Sequence, residues 1–143
     1  MEAKSNVISP DLYRVIDANL NRLKEGIRVI EDIARYSYNN KNLASKLKTL
    51  RHRSRIEDLL NLLTSRDSIN DVLRQTIPFE LKRNDLESIV IANYKRAQES
   101  SRVLEEMYKI ISPELSEMFK QIRYELYALE KEYFIPEQKT QET

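Results

Sequence analysis

The chain has 143 residues, of which 41% are hydrophobic and 33% charged, and its 24 basic and 23 acidic side chains almost balance. This length suits one domain with one core, and the charge balance argues mildly against non-specific nucleic-acid binding, which depends on excess positive charge. The absence of cysteine excludes disulfides and thiolate chemistry, and the single glycine excludes the glycine-rich loops that bind phosphate in many nucleotide-binding proteins.

Two long helices are predicted in the first half of the chain. The run Ser9–Asp11 supplies a capping serine, a proline and an acid, as at the start of a helix. Apolar residues then recur at helical spacing as far as Ala34. Asn39–Asn40 is the predicted turn, and a second helix is predicted to continue to about Leu63.

A polar connector separates these helices from two more. The third helix opens at Asn84 with an acidic residue three positions later, as in a capping box, and the start signal of the first helix recurs at Ser112–Glu114. No apolar run approaches the roughly 20 residues that span a bilayer, so we expect a cytoplasmic protein without a membrane partner. The predicted single domain, residues 1–143, divides into hairpin one (9–65), the connector (66–83), hairpin two (84–135) and a frayed tail (136–143).

The two hairpins are copies of one another. At an offset of 74 residues, seven of the fourteen positions from Ala18 to Glu31 are identical between the first and third helices. The second and fourth helices match more weakly at an offset of 72, where Arg51 corresponds to Arg123. The duplication predicts an all-α four-helix bundle with pseudo-two-fold symmetry.

The repeated polar residues lie on one strip of each helix, beside the apolar face. One interpretation is a solvated face joined by weak arginine–glutamate pairs. The apolar positions have changed between the copies, as where Leu20 corresponds to Tyr94, whereas four charged positions are identical, namely 22, 25, 28 and 31, and this favours a buried or ligand-facing set. Arginine and asparagine suit phosphate, so the set predicts anion binding. Its members are Asn19, Arg22, Glu25 and Arg28 in the first copy and Asn93, Arg96, Glu99 and Arg102 in the second.

Further candidates lie outside this strip. Arg51 belongs to a basic cluster for which a solvated face is the ordinary interpretation, and its match with Arg123 favours a role at the site. In the connector, Asp67 and Asp71 are candidate metal ligands, although aspartate also occurs in turns as a capping group. Long connectors often form binding loops.

Four segments together resemble the signature of a small all-α kinase family. This family comprises the monofunctional hydroxymethylpyrimidine-phosphate kinases of thiamine biosynthesis, which occur alone or fused to thiamine-phosphate synthase. The resemblance spans about Leu12 to Lys131, with one departure, since Leu73 stands where we expect a glycine. The segments are Asp17–Tyr36, Leu50–Arg53, Ser65–Asp67 and Ala92–Glu106.

The resemblance implies ATP- and Mg²⁺-dependent phosphorylation of 4-amino-5-hydroxymethyl-2-methylpyrimidine phosphate to the diphosphate. It implies pyrimidine phosphate and ATP as ligands and an association with thiamine-phosphate synthase, and it leaves homodimerisation open. The hypothesis makes Arg22, Glu25, Arg96 and Glu99 catalytic, assigns substrate or ATP binding to Asn19, Arg28, Arg51, Asn93, Arg102 and Arg123, and keeps Asp67 and Asp71 as metal ligands.

Two alternatives stay open at this point. One is a non-catalytic dimerisation or scaffold module whose charged residues maintain helix register. The other is a different nucleotide-binding enzyme built on a helical bundle. The alternation of glutamate and arginine disfavours the pyrophosphatase type of bundle, which groups four carboxylates.

Overall fold

A computed structural model describes residues 9–76 and 83–136 of the chain. Every regular element in these ranges is helical, which confirms the predicted all-α class. None of the helices in these ranges has both the length and the apolar character needed to cross a bilayer. The elements are α1 (Pro10–Asp32), a π-helical turn (Ile33–Ser37), α2 (Lys41–Arg53), α3 (Leu59–Ser65), α4 (Leu86–Ile111) and α5 (Pro113–Phe134).

The predicted helix starts are confirmed, with one shift. The hydroxyl of Ser9 accepts a hydrogen bond from a first-turn amide of α1, and Ser112 caps α5 in the same way. At α4 the cap is Asp85 and not the predicted Asn84, because the Asp85 carboxylate accepts the amide N–H of Ser88 at 2.8 Å. The predicted tail beyond residue 136 and the connector residues 77–82 lie outside the described ranges.

The prediction of one continuous second helix to Leu63 is wrong. The helix ends at Arg53, where the fully buried Ser54 turns its hydroxyl back to donate to the Leu50 carbonyl at 3.0 Å. Serine competes with regular helix in this way because its side chain offers the backbone an alternative partner. The chain then turns, and α3 packs against α1 with Leu62 buried.

The core lies between α1 and α4, which form the central pair of the bundle. Each is flanked by its own hairpin partner, α2 beside α1 and α5 beside α4, and α2 also contacts α5. The approach of the central pair is close at Gly26, where an added Cβ would lie 3.2 Å from the carbonyl oxygen of Asn93. Both hairpins contribute to one hydrophobic cluster, which includes Ile16, Leu23, Ile27, Leu47, Tyr94, Leu104, Phe119 and Leu126.

Candidate functional site

Arg22 on α1 and Arg96 on α4 line the same cleft, which has a volume of about 390 Å³. The two arginines are equivalent positions of the repeat, so the packing of the copies brings both to one place. Neither side chain makes a hydrogen bond or ion pair with another residue in the described ranges. Two exposed guanidinium groups without partners therefore face a shared opening, where they are free to bind an anion.

Three further side chains complete this part of the cleft, which we call the α4 lobe. Asn19, Lys95 and Glu99 line it together with the two arginines, so three cationic groups oppose one carboxylate. Lys95 also lies 3.5 Å from a carboxylate oxygen of Glu130 on α5. Sequence comparison missed Lys95, because the corresponding position of the first copy is Asn21 and only identical positions were selected.

A second depression of about 610 Å³ continues the cleft on the other side of Arg22. It shares Asn19 and Arg22 with the α4 lobe, and its outer wall is the connector segment 66–71. We call it the connector lobe. The wall exists because the chain after α3 runs back along α1, where the Arg14 guanidinium donates to the carbonyl oxygen of Asp67 at 3.1 Å.

Asp17 and Arg66 fasten the connector to α1. The Asp17 carboxylate is 5% exposed and accepts two hydrogen bonds from the Arg66 guanidinium, both at 2.7 Å. These bonds, with a smaller electrostatic contribution from Glu25, raise the pKa of Arg66. Comparison of the two copies of the helix does not reveal this pair, because the residue that corresponds to Asp17 at position 91 is isoleucine. Asp17 and Arg66 lie in two of the four segments that carry the family resemblance, and this is their only signal in the sequence.

The two candidate metal ligands both line the connector lobe. Asp67 accepts hydrogen bonds from the side-chain and backbone N–H groups of Asn70, at 2.8 and 3.0 Å, and these bonds lower its pKa. Asp71 accepts the Leu73 amide at 2.9 Å. Within 9–76 and 83–136, no three histidine or carboxylate side chains are grouped as metal ligands. Both aspartates thus have the turn-capping role that the sequence left open, and metal binding stays a prediction.

Glu25 and Glu99 do not orient the cleft arginines. Glu99 lines the α4 lobe, and Glu25 is exposed near Arg66. Neither glutamate forms a hydrogen bond or ion pair within the described part of the chain. Both carboxylates are therefore available to a bound cation.

The two asparagines of the strip have equivalent positions. The side-chain amide of Asn19 donates to the carbonyl oxygen of Val15 at 2.9 Å, and that of Asn93 donates to the carbonyl oxygen of Ile89 at 2.8 Å. Asn19 is buried and lines both lobes. Asn93 instead lies at the close contact between α1 and α4. Asn19 is thus the member of this pair that the structure brings to the cleft.

Arg28 and Arg102 fit the solvated-face interpretation. Each is 56% exposed and pairs with a carboxylate one turn further along its own helix, Asp32 or Glu106, at 3.3 Å. Such exposed pairs contribute little to stability. The binding role expected from the repeat has no support in their positions.

Arg51 and Arg123 are held by buried glutamates. Arg51 bonds Glu31 at 2.7 and 3.2 Å, and Arg123 bonds Glu105 at 2.8 Å. The hydrogen bonds to the glutamates raise the pKa of both arginines. Neither arginine is among the residues lining the two lobes. A structural contact, which joins α2 to α1 and α5 to α4, accounts for their repetition, and the ligand-binding role stays a prediction.

The fold and the cleft together define a class of protein, an all-α bundle of two copied hairpins with an arginine-lined cleft between the copies. The ThiD2 family model matches residues 14–132. The chain therefore belongs to the ThiD2 family. The kinase reaction implied by the resemblance stays a prediction. No solved structure significantly matches the chain.

Curated proteins with the name thiamine-phosphate synthase are similar to the chain, among them the following three. The one from Nostoc punctiforme is 39% identical over 120 residues, which cover 83% of this chain and 34% of that protein. The one from Synechocystis is 41% identical over 120 residues, covering 83% of this chain and 35% of that protein. The one from Prochlorococcus marinus subsp. pastoris is 37% identical over 131 residues, which cover 89% of this chain and 37% of that protein. The chain thus spans about a third of the length of these relatives.

Proposed function

We propose that the protein is a phosphotransferase of thiamine biosynthesis, which uses ATP to convert hydroxymethylpyrimidine phosphate to its diphosphate. The observation that carries the proposal is the pair Arg22 and Arg96, two unpartnered guanidinium groups in one cleft. Membership of the ThiD2 family and similarity to proteins named thiamine-phosphate synthase support the assignment to this pathway.

The reaction makes few chemical demands on the protein. An oxygen of the pyrimidine monophosphate forms a bond to the γ-phosphorus of ATP, the bond from that phosphorus to the β–γ bridging oxygen breaks, and ADP leaves. The attacking oxygen is already anionic near neutral pH, since the second pKa of a phosphate monoester is about 6. No general base is required. The protein must hold two anions in line and compensate their charge, and arginine suits this task.

The connector lobe has the donor types that a magnesium nucleotide needs. Mg²⁺ is usually bound through one or two carboxylates together with substrate phosphates and water. Asp67 and Asp71 line this lobe and would supply those carboxylates, so the absence of a larger ligand cluster does not conflict with the proposal. Mg²⁺ would neutralise charge on the transferring phosphoryl group. Arg22 would contact the phosphates from the floor of the cleft.

The proposal is tested by measuring ATP-dependent formation of the pyrimidine diphosphate by Arg22→Ala and Arg96→Ala. Each variant should lose about 100-fold in kcat, the typical effect of removing a preorganised donor to developing charge. The matched control is Arg53→Ala, since Arg53 is an exposed arginine of α2 that pairs with Glu125 on α5. Near-wild-type turnover by both folded cleft variants, or no turnover by the wild type, would refute the assignment.

A further inference from the structure

The cleft is asymmetric although its floor is formed by two copies of one helix. The connector lobe has a volume of about 610 Å³ and the α4 lobe about 390 Å³, and Arg22 belongs to both. A cleft with exact two-fold symmetry would have two identical subsites, and two different ligands would then compete for each subsite. A transferase with two different phosphorylated ligands needs two distinguishable subsites, so the source of the asymmetry matters for the proposed function.

The asymmetry originates at Asp17 and Arg66. Asp17 is buried on α1, and its two hydrogen bonds hold Arg66 and the segment after it against the cleft. At the corresponding position of α4 the residue is Ile91, which cannot bind a guanidinium group. Within residues 9–76 and 83–136, the wall therefore lies against the first copy of the helix, at Asp17.

The two lobes also differ in charge. In the α4 lobe, Lys95 and the two cleft arginines face one carboxylate, that of Glu99. In the connector lobe, three arginines face four aspartates, two of which are Asp67 and Asp71. A phosphate monoester that carries no metal ion is bound best where cations predominate. A magnesium nucleotide needs carboxylates for the metal as well as cations for the phosphates, and it is also the larger ligand.

We propose that the α4 lobe binds the phosphate of the pyrimidine monophosphate and that the connector lobe binds the magnesium nucleotide. This inference rests on the proposed function. Arg22, shared by the lobes, lies where the γ-phosphoryl group passes from the β-phosphate oxygen of the nucleotide to an oxygen of the monophosphate. ADP leaves from the connector lobe. Asp17 is a positioning residue, because it acts on the nucleotide through Arg66 and the wall that Arg66 anchors.

The test measures binding and not turnover. Titration calorimetry is carried out separately with hydroxymethylpyrimidine phosphate and with the magnesium complex of adenylyl imidodiphosphate, which cannot transfer its γ-phosphoryl group. Arg96→Gln should weaken pyrimidine phosphate binding about tenfold or more, equivalent to one lost charge-assisted contact, and leave nucleotide binding unchanged. Arg66→Gln should weaken nucleotide binding and leave pyrimidine phosphate binding unchanged. Arg22→Gln should weaken both, and Arg53→Gln should weaken neither, since Arg53 lines neither lobe.

Arg66→Gln leaves the buried Asp17 carboxylate without its partner, which risks unfolding. The double variant Asp17→Asn/Arg66→Gln removes both charges and should again weaken only the nucleotide. Reversed preferences, or equal weakening of both ligands by each variant, would overturn the subsite assignment. If the variants weaken the two ligands selectively as described but the wild type forms no diphosphate, the proposed reaction is refuted and the assignment of the two subsites still holds. A wild type that binds neither ligand would overturn both.

Discussion

Glu31 accepts two hydrogen bonds from Arg51, from Nε at 2.7 Å and from Nη2 at 3.2 Å. The second copy of the hairpin repeats the contact, with Arg123 Nη2 at 2.8 Å from Glu105 Oε1. Both glutamates are nearly inaccessible to solvent, at 2% and 6% exposure. Each pair joins the two helices of one hairpin. These two repeated ion pairs lie outside the cleft, and they stabilise the fold that positions it.

Replacement of Glu31 should therefore be costly. Glu31→Ala leaves the Arg51 guanidinium partly buried without a counter-charge, which typically lowers the free energy of unfolding by about 3–5 kcal/mol. The control is Lys46→Ala, which breaks an exposed pair with Glu132 and should cost less than about 1 kcal/mol. Urea unfolding followed by circular dichroism measures both. A cost for Glu31→Ala no larger than that of the control would mean that the pair does not stabilise the hairpin.

Gly26 should tolerate alanine but not valine. An alanine Cβ would lie 3.2 Å from the Asn93 carbonyl oxygen and 3.5 Å from the Ala97 Cβ. For Gly26→Ala, the gain in helix propensity of about 1 kcal/mol offsets this tight contact. Gly26→Val adds two methyl groups that force α1 and α4 apart, and it should lower the free energy of unfolding by about 2 kcal/mol. Thermal unfolding distinguishes the two variants. Equal melting temperatures would contradict the close approach of the helices.

The cap of α4 should make stability depend on pH. Hydrogen bonds from the amide and hydroxyl of Ser88 lower the pKa of Asp85. Its stabilising effect is thus complete above the unfolded-state pKa of about 3.9 and is lost as the pH falls through the lower folded-state value. Asp85→Ala should lower the melting temperature at pH 7, and this difference should shrink below pH 4. Ser112→Ala removes an uncharged cap from α5, so its effect should not change with pH. A pH-independent effect of Asp85→Ala would refute the coupling.

Arg28 and Arg102 should be dispensable for ligand binding. Both are more than half exposed, and both are paired within their own helix. The double variant Arg28→Ala/Arg102→Ala should keep its affinity for the pyrimidine phosphate within about threefold of wild type, as expected from exposed pairs worth less than 1 kcal/mol. Titration calorimetry with the pyrimidine phosphate alone measures this affinity. A tenfold loss would restore these residues to the binding set that the repeat predicted.

Much of the fold was predictable because its signals are local. Ser9 and Ser112 start helices because a hydroxyl before a helix bonds an amide within the same turn, whatever surrounds it. The break at Ser54 was missed, although serine there bonds its own helix, because the choice between continuing and turning depended on whether α3 packed on α1. That packing is a distant contact, which spacing along the chain does not contain.

The candidate site also combines features that are local in the sequence with contacts between distant residues. Internal comparison selected Arg22, Arg28, Arg51 and their copies as repeated positions, and helical spacing grouped most of them on one strip. The structure separates them into three sets: arginines of the cleft, exposed intrahelical pairs and buried ion pairs. Repetition identifies a position that is restrained but not the reason for the restraint, since a ligand and a buried glutamate preserve an arginine equally well.

The helical class, the duplication and the candidate residues for an anion site can be read from the amino-acid sequence, because periodicity, caps and repeats are properties of the chain. That Arg22 and Arg96 share a cleft, and that Asp17 holds Arg66 to make the cleft unequal, depends on how the helices pack. The reason is geometric: a helix brings together residues three or four apart, whereas residues 49 or 74 positions apart meet only when whole helices pack.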